Sequence, residues 1–67
     1  MELKGIGQTI RVARIKKGMT QADLAETLGV SQGAVGQWEQ GITTPRPRHI
    51  VRLSALLEIP VEQLLAG

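Results

Sequence analysis

The side chains best suited to chemistry are concentrated in one stretch, VSQGAVGQWEQG, residues 30–41. Ser31, Gln32 and Gln37 offer a hydroxyl and two carboxamides, which donate and accept hydrogen bonds while uncharged. Groups of this kind read a hydrogen-bonding edge; they do not break bonds. The remaining sequence supplies no nucleophile, base and orienting residue in combination and no paired carboxylates at workable spacing, so an enzyme is the least expected class. Ser31 and Ser54 read as a helix cap and a helix-packing residue. With no cysteine and a single histidine, the chain is expected to hold no metal and no cofactor. His49 reads as a solvent-facing helix residue. The segment GIGQTI, residues 5–10, has two glycines but lacks the preceding strand and third glycine of a phosphate-binding fingerprint. It reads as a weak start to a helix.

The same stretch also contains Gly33 and Gly36, in a segment whose apolar residues Ala34, Val35 and Trp38 share one side of a helix. An internal glycine costs a helix about 1 kcal/mol relative to alanine, so packing must offset about 2 kcal/mol here. The elements around this segment explain why it is built so.

Residues 3–17 place Leu3, Ile6, Ile10 and Ala13 at three- and four-residue intervals, and Gly18 stops that helix. Thr20 opens the sequence TQAD, in which Thr20 and Asp23 can close the first turn of a second helix reciprocally. That helix runs to about Leu28, Gly29 takes a tight turn, and Ser31 caps a third helix that ends near Gln40 with Gly41 after it. Pro45 and Pro47 exclude a helix through ITTPRPR and make it an ordered loop. Pro47 then suits the start of a fourth helix with Ile50, Leu53, Leu56 and Leu57 on its apolar face, and Pro60 the start of a short fifth with Val61, Leu64 and Leu65. The expected fold class is all-α, five helices in one domain over residues 1–67.

Ala25 at a helix crossing, Gly29 in the turn and Val35 as a lock on the following helix are the features of a helix-turn-helix. In that unit the apolar side of the third helix is held by the domain, and Ser31, Gln32, Gly33, Gly36 and Gln37 point outward. A helix slotted into a DNA groove would then bring bare backbone close to the bases at the two glycines.

Composition is compatible with such a partner. A chain of 67 residues holds one small core, hiding about 60% of the surface its unfolded form exposes. No apolar run approaches the roughly 18 residues of a membrane span and no signal-peptide core precedes the first helix, so a cytoplasmic protein with no membrane partner is expected. The net charge is +2, and its distribution is uneven. Lys4, Arg11, Arg14, Lys16 and Lys17 form one basic group and Arg46, Arg48 and Arg52 another, with neither Lys nor Arg between Gly18 and Pro45. Arg11, Lys16 and Lys17 read as solvent charges. Trp38, the only aromatic residue, reads as core, its indole N–H partnered at the domain edge.

The stretch MTQADLAETLGVSQGAVGQWEQGITTP strongly resembles the helix-turn-helix of the bacteriophage repressor and Cro family, and IVRLSALLEIPVEQLL resembles its fourth and fifth helices. The resemblance covers nearly the whole chain and implies a compact, lambda-repressor-like DNA-binding domain. It implies that Gln21 contacts the DNA backbone and braces the recognition helix, and that Ser31, Gln32, Gly33 and Gln37 face the major groove. Gln32 is the leading candidate to read an adenine in bidentate fashion, with Gln37 second. With no side chain at Gly33 and Gly36, apolar contact with a thymine methyl is expected to be absent. Arg14 and Glu39 match a family ion pair, the arginine retaining a donor for a phosphate. Arg46 and Arg48 stand where the family places phosphate contacts, Arg46 in place of a capping Ser or Thr, and Thr43 joins the DNA-facing set.

The function so implied is a sequence-specific regulator of transcription, a phage-type repressor or Cro-like protein, binding a pseudo-palindromic operator as a homodimer. Leu57, Glu58, Ile59 and Pro60 are expected at the dimer surface. The alternative is a protein-interaction or antitoxin-like adaptor of the same fold, using exposed apolar groups around Ile42, Ile59 and Val61.

Overall fold

The computed structural model describes residues 5–65. They form α1 (Gly5–Lys16), α2 (Gln21–Leu28), α3 (Gln32–Gln40), α4 (Pro47–Leu57) and α5 (Val61–Leu65), with no strand among the described residues. Leu3 and Lys4, assigned above to the first helix and the first basic group, lie outside that range.

Local chemistry sets the helix starts. Thr20 Oγ1 accepts the Asp23 N–H at 2.9 Å while the Asp23 carboxylate accepts the Thr20 N–H at 3.0 Å, the capping box expected at α2. These bonds hold the Asp23 carboxyl below the usual carboxylate range. Ser31 Oγ accepts the Ala34 N–H at 3.1 Å and caps α3. Pro47 occupies the first turn of α4 behind Arg46, which supplies no side-chain cap.

The ends of α1, α2, α3 and α4 share one turn. The residue after a left-handed position donates its N–H to the carbonyl five residues back: Met19 to Arg14 (3.1 Å), Val30 to Ala25 (3.0 Å), Ile42 to Gln37 (2.9 Å) and Ile59 to Ser54 (3.0 Å). The left-handed residue is glycine in three of these turns, such as Gly29 at φ 75°, but in the fourth it is Glu58 at φ 58°. Ser54 Oγ donates to the Ile59 carbonyl at 2.5 Å and tightens that turn. Lys17 pairs with Glu58 at 2.5 Å and lowers its carboxyl pKa, so Lys17 is not the free solvent charge its position implied.

The helices close on one core. Ile10 of α1, Leu24 and Leu28 of α2, Val35 and Trp38 of α3, Ile50, Leu53 and Leu57 of α4 and Leu64 of α5 are buried there, joined by Ile59. At 5% exposure Trp38 is core, as its solitary position implied. The amphipathic reading of α5 holds only for Leu64, because Leu65 is 62% exposed and Val61 37%.

Two tertiary contacts have no local signature. A Cβ on Gly7 would lie 2.4 Å from the Trp38 carbonyl oxygen and 2.7 Å from that of Glu39, so α1 runs against the end of α3 at a separation only glycine permits. The two glycines read as a weak helix start thus include one required by tertiary packing. Arg52 donates to the Thr27 carbonyl at 2.8 Å and the Leu28 carbonyl at 3.1 Å, occupying the negative end of the α2 dipole. It is a structural cation, not a free member of the second basic group.

Candidate nucleic-acid interface

The outer side of α3 forms an open trough lined by Gln21, Gln32, Gln37, Gln40, the two glycines and Ile42. Four carboxamides and one aliphatic side chain face it, and no ionised group does. A neutral lining of donors and acceptors complements base edges better than phosphate, which would call for cations. The expected set is therefore largely assembled: Gln21, Gln32, Gly33, Gly36 and Gln37 share one concavity, and exposed Ser31 caps the helix at its N-terminal end. Gln40 and Ile42 are lining residues that the sequence reading did not place there; only the position of Ile42 just past the C-cap hinted at it.

The glycines do not behave alike. Gly33 is exposed, and a Cβ there would meet only Ser31 Oγ, at 3.9 Å. Gly36 is buried, which corrects its expected outward position: the Gln21 carboxamide lies over it, 3.7–4.0 Å from an added Cβ. Those are ordinary contacts, so neither position is glycine because the fold lacks room.

Beneath the trough lies an ionic network. Arg14 Nε donates to Glu39 Oε2 at 2.6 Å and Nη2 to Oε1 at 3.1 Å, the expected bidentate pair, with side chains only 11% and 4% exposed. This bonding raises the pKa of Arg14. Gln21 Nε2 donates to Glu39 Oε1 at 3.1 Å, so the carboxylate that holds Arg14 also fixes the amide over Gly36. The donor that Arg14 was expected to keep for a phosphate is already engaged, since Nη1 donates to the Met19 carbonyl at 2.8 Å.

Thr43, Arg46 and Arg48 are exposed on the loop after α3 and the first turn of α4, where no acidic residue stands. His49 departs from the solvent-facing expectation. Its ring packs on Trp38 with centroids 5.8 Å apart, and Nδ1 is buried without a hydrogen-bond partner among the described residues. Burial, reinforced by Arg48, Arg52 and Arg46, lowers its pKa.

The surfaces expected to meet other proteins are less available than the sequence suggested. Leu57 and Ile59 are core residues, 4% and 6% exposed, leaving Glu58 and Pro60 from the dimer set on the surface. Burial of Ile59 also removes one of three apolar groups on which the adaptor reading rested. No helix among the described residues is long and apolar enough to cross a membrane.

A capped α2, the Gly29 turn and an α3 with one exposed side and Val35 buried on the other make up a helix-turn-helix unit. The sequence profile described as helix-turn-helix matches residues 10–64. The chain belongs to the helix-turn-helix family. It is 36% identical over 67 residues to repressor protein C2 of Salmonella phage P22, and 36% identical over 69 residues to the transcriptional regulator DicA of Escherichia coli. All of the chain aligns in both, but it spans only 31% and 51% of their lengths. Among solved structures it is similar to the P22 c2 repressor in complex with a synthetic operator, at 34% identity and a TM-score of 0.85, covering 92% of this chain and 94% of that one. It is also similar to SinR in complex with DNA, SinR being a Bacillus subtilis protein, at 34% identity and a TM-score of 0.78, covering 90% and 97%.

Proposed function

We propose that the chain binds double-stranded DNA sequence-specifically and regulates transcription by occupying an operator, with α3 in the major groove. The observation that carries this reading is the trough: uncharged, lined with amides and open at glycine, on the exposed side of the second helix of a helix-turn-helix. Similarity to the P22 c2 repressor and SinR, each solved with DNA, supports it. In this reading Gln32 and Gln37 contact base edges, with Ser31 beside them facing the major groove, while Thr43, Arg46, Arg48 and the start of α2 at Gln21 meet the backbone. Glu39 holds Gln21 in place. Two copies bind half-sites about 34 Å apart on one face of the duplex, so the operator is a pseudo-palindrome. No chemical step is required, and the site is cytoplasmic.

The test is selection of bound duplexes from a random pool, followed by gel-shift titration at two salt concentrations. Binding that weakens as salt rises, with discrimination against unselected duplex, is the expected result. Gln32→Ala should relax discrimination at one or two base pairs by about 1–3 kcal/mol, whereas Arg48→Ala should weaken all duplexes and reduce the salt slope by about 1. A chain that selects no duplex and shows no salt-sensitive shift would instead be an adaptor for proteins.

A further inference from the structure

His49 is the single histidine of the chain and stands in the first turn of α4, next to Arg48 and one turn after Arg46. Its ring is half-buried and packs on Trp38, 5.8 Å between centroids and 40° between planes, so it lies between the loop arginines and the core side of α3. Nδ1 is sealed there without a hydrogen-bond partner among the described residues. A protonated imidazole carries an N–H on both nitrogens, so protonating this ring leaves a buried charged donor unsatisfied. The surrounding charges oppose protonation as well. Arg48, Arg52 and Arg46 all act on the ring, and α4 adds the positive pole of its dipole. No carboxylate acts against them. Glu39 of α3, next to Trp38 in the chain, is bound by Arg14 of α1 and Gln21 of α2, Asp23 closes the capping box of α2, Glu58 pairs with Lys17, and Glu26 of α2 and Glu62 of α5 are exposed.

We infer that His49 couples duplex binding to pH, its ring taking up a proton as phosphates engage Arg46 and Arg48, so that the chain holds DNA more tightly on the acidic side of neutrality. This rests on the duplex-binding reading above, in which those two arginines meet the DNA backbone at the N-terminus of α4. Phosphates held there offset the guanidinium field and the helix pole that keep the free ring neutral. The proton comes from solvent and returns to it when the duplex leaves. In the free chain, burial and the three arginines hold the His49 pKa below its ordinary value, and the complex raises it. Affinity therefore rises as pH falls through the value in the complex and levels off below the value in the free chain. With no cysteine and no second histidine, His49 is the side chain whose ordinary titration falls nearest neutrality.

The test uses the 67-residue chain and a duplex it has selected from a random pool, at constant ionic strength. The imidazole C–H resonances of the isotope-labelled chain report this ring alone, and their titration midpoint should rise by about one pH unit when duplex is saturating. Affinity should be about five-fold higher at about pH 5.5 than at about pH 8. His49→Phe, which keeps an aromatic ring against Trp38, should lose that difference, and Arg48→Ala should raise the midpoint of the free chain. Should His49→Phe fail to fold, the imidazole titration of the parent chain decides alone. Equal midpoints with and without duplex, an unmoved free-chain midpoint in Arg48→Ala, or the same pH dependence in His49→Phe overturns the coupling while leaving duplex binding intact. Failure to select any duplex overturns the duplex-binding reading itself.

Discussion

On the inner side of α3, an added methyl at Gly7 would meet the Trp38 and Glu39 carbonyl oxygens at 2.4 and 2.7 Å. On the outer side, a methyl at Gly36 would meet only the Gln21 amide, at 3.7 Å and beyond, and one at Gly33 only Ser31 Oγ, at 3.9 Å. The first glycine is required by the fold, because two backbones approach there and neither can yield. The other two weaken a nine-residue helix without relieving any internal contact. On the proposed reading, exposed Gly33 keeps room for a duplex that approaches α3 closely, whereas Gly36 lies beneath the Gln21 carboxamide. The ionic network divides along the same line: Arg14 and Glu39 are sealed on the inner side, and Gln21 carries their order outward to the trough.

Five substitutions would break or sharpen this contrast. The largest effect is expected from Glu39→Ala, which strands the Arg14 guanidinium in a buried site and releases Gln21. A loss of about 4 kcal/mol in urea denaturation is expected, and a loss under about 1 kcal/mol would make the pair no more than a surface salt bridge. Gly7→Ala comes next, with overpacking against two carbonyls lowering stability by about 2 kcal/mol after the gain in helix propensity. Equal stability for this variant would remove the inner half of the comparison.

Gly33→Ala and Gly36→Ala should do the reverse, each raising stability by up to about 1 kcal/mol while weakening binding to selected duplex. Destabilisation by either would place that glycine with Gly7. The smallest effect concerns His49, whose ring packs on Trp38. Its folded pKa lies below the ordinary 6.5, so in the interval between the two values the unfolded chain binds a proton that the native chain does not. Stability therefore rises with pH through that interval and is lost as pH falls toward the folded-state value. Urea midpoints taken at about pH 8 and about pH 5.5 should differ less in His49→Asn than in the parent chain. An unchanged difference would assign the pH dependence to other groups.

Much of this architecture could be read from the sequence because its signals are local. The Thr20–Asp23 box, the Ser31 cap and the glycines at positions 29 and 41 each depend on residues within a few positions, and all four stand where expected. The Arg14–Glu39 pair was accessible through family resemblance, although the further use of Arg14 on the Met19 carbonyl was not. Gly7 and Arg52 were misread because their reasons lie at least 24 residues away, at the end of α3 and the end of α2. Glu58 gave no signal, since the left-handed position it fills is usually glycine. Leu57 and Ile59 were placed on a dimer surface by family resemblance alone, and both are core residues because an apolar side chain between two helices can face the core as readily as a partner.

The central claim is that the open side of α3 is the face a duplex enters. An amide correlation spectrum of the isotope-labelled chain, titrated with a duplex it has selected, tests this most directly. Perturbations should concentrate on Ser31–Thr43, including the Gly33 and Gly36 amides, and on the start of α4 at Arg46–Arg48. If the shifts fell instead on the exposed side of α1 around Val12 and Ile15, with the two glycine amides unmoved, the account would be contradicted.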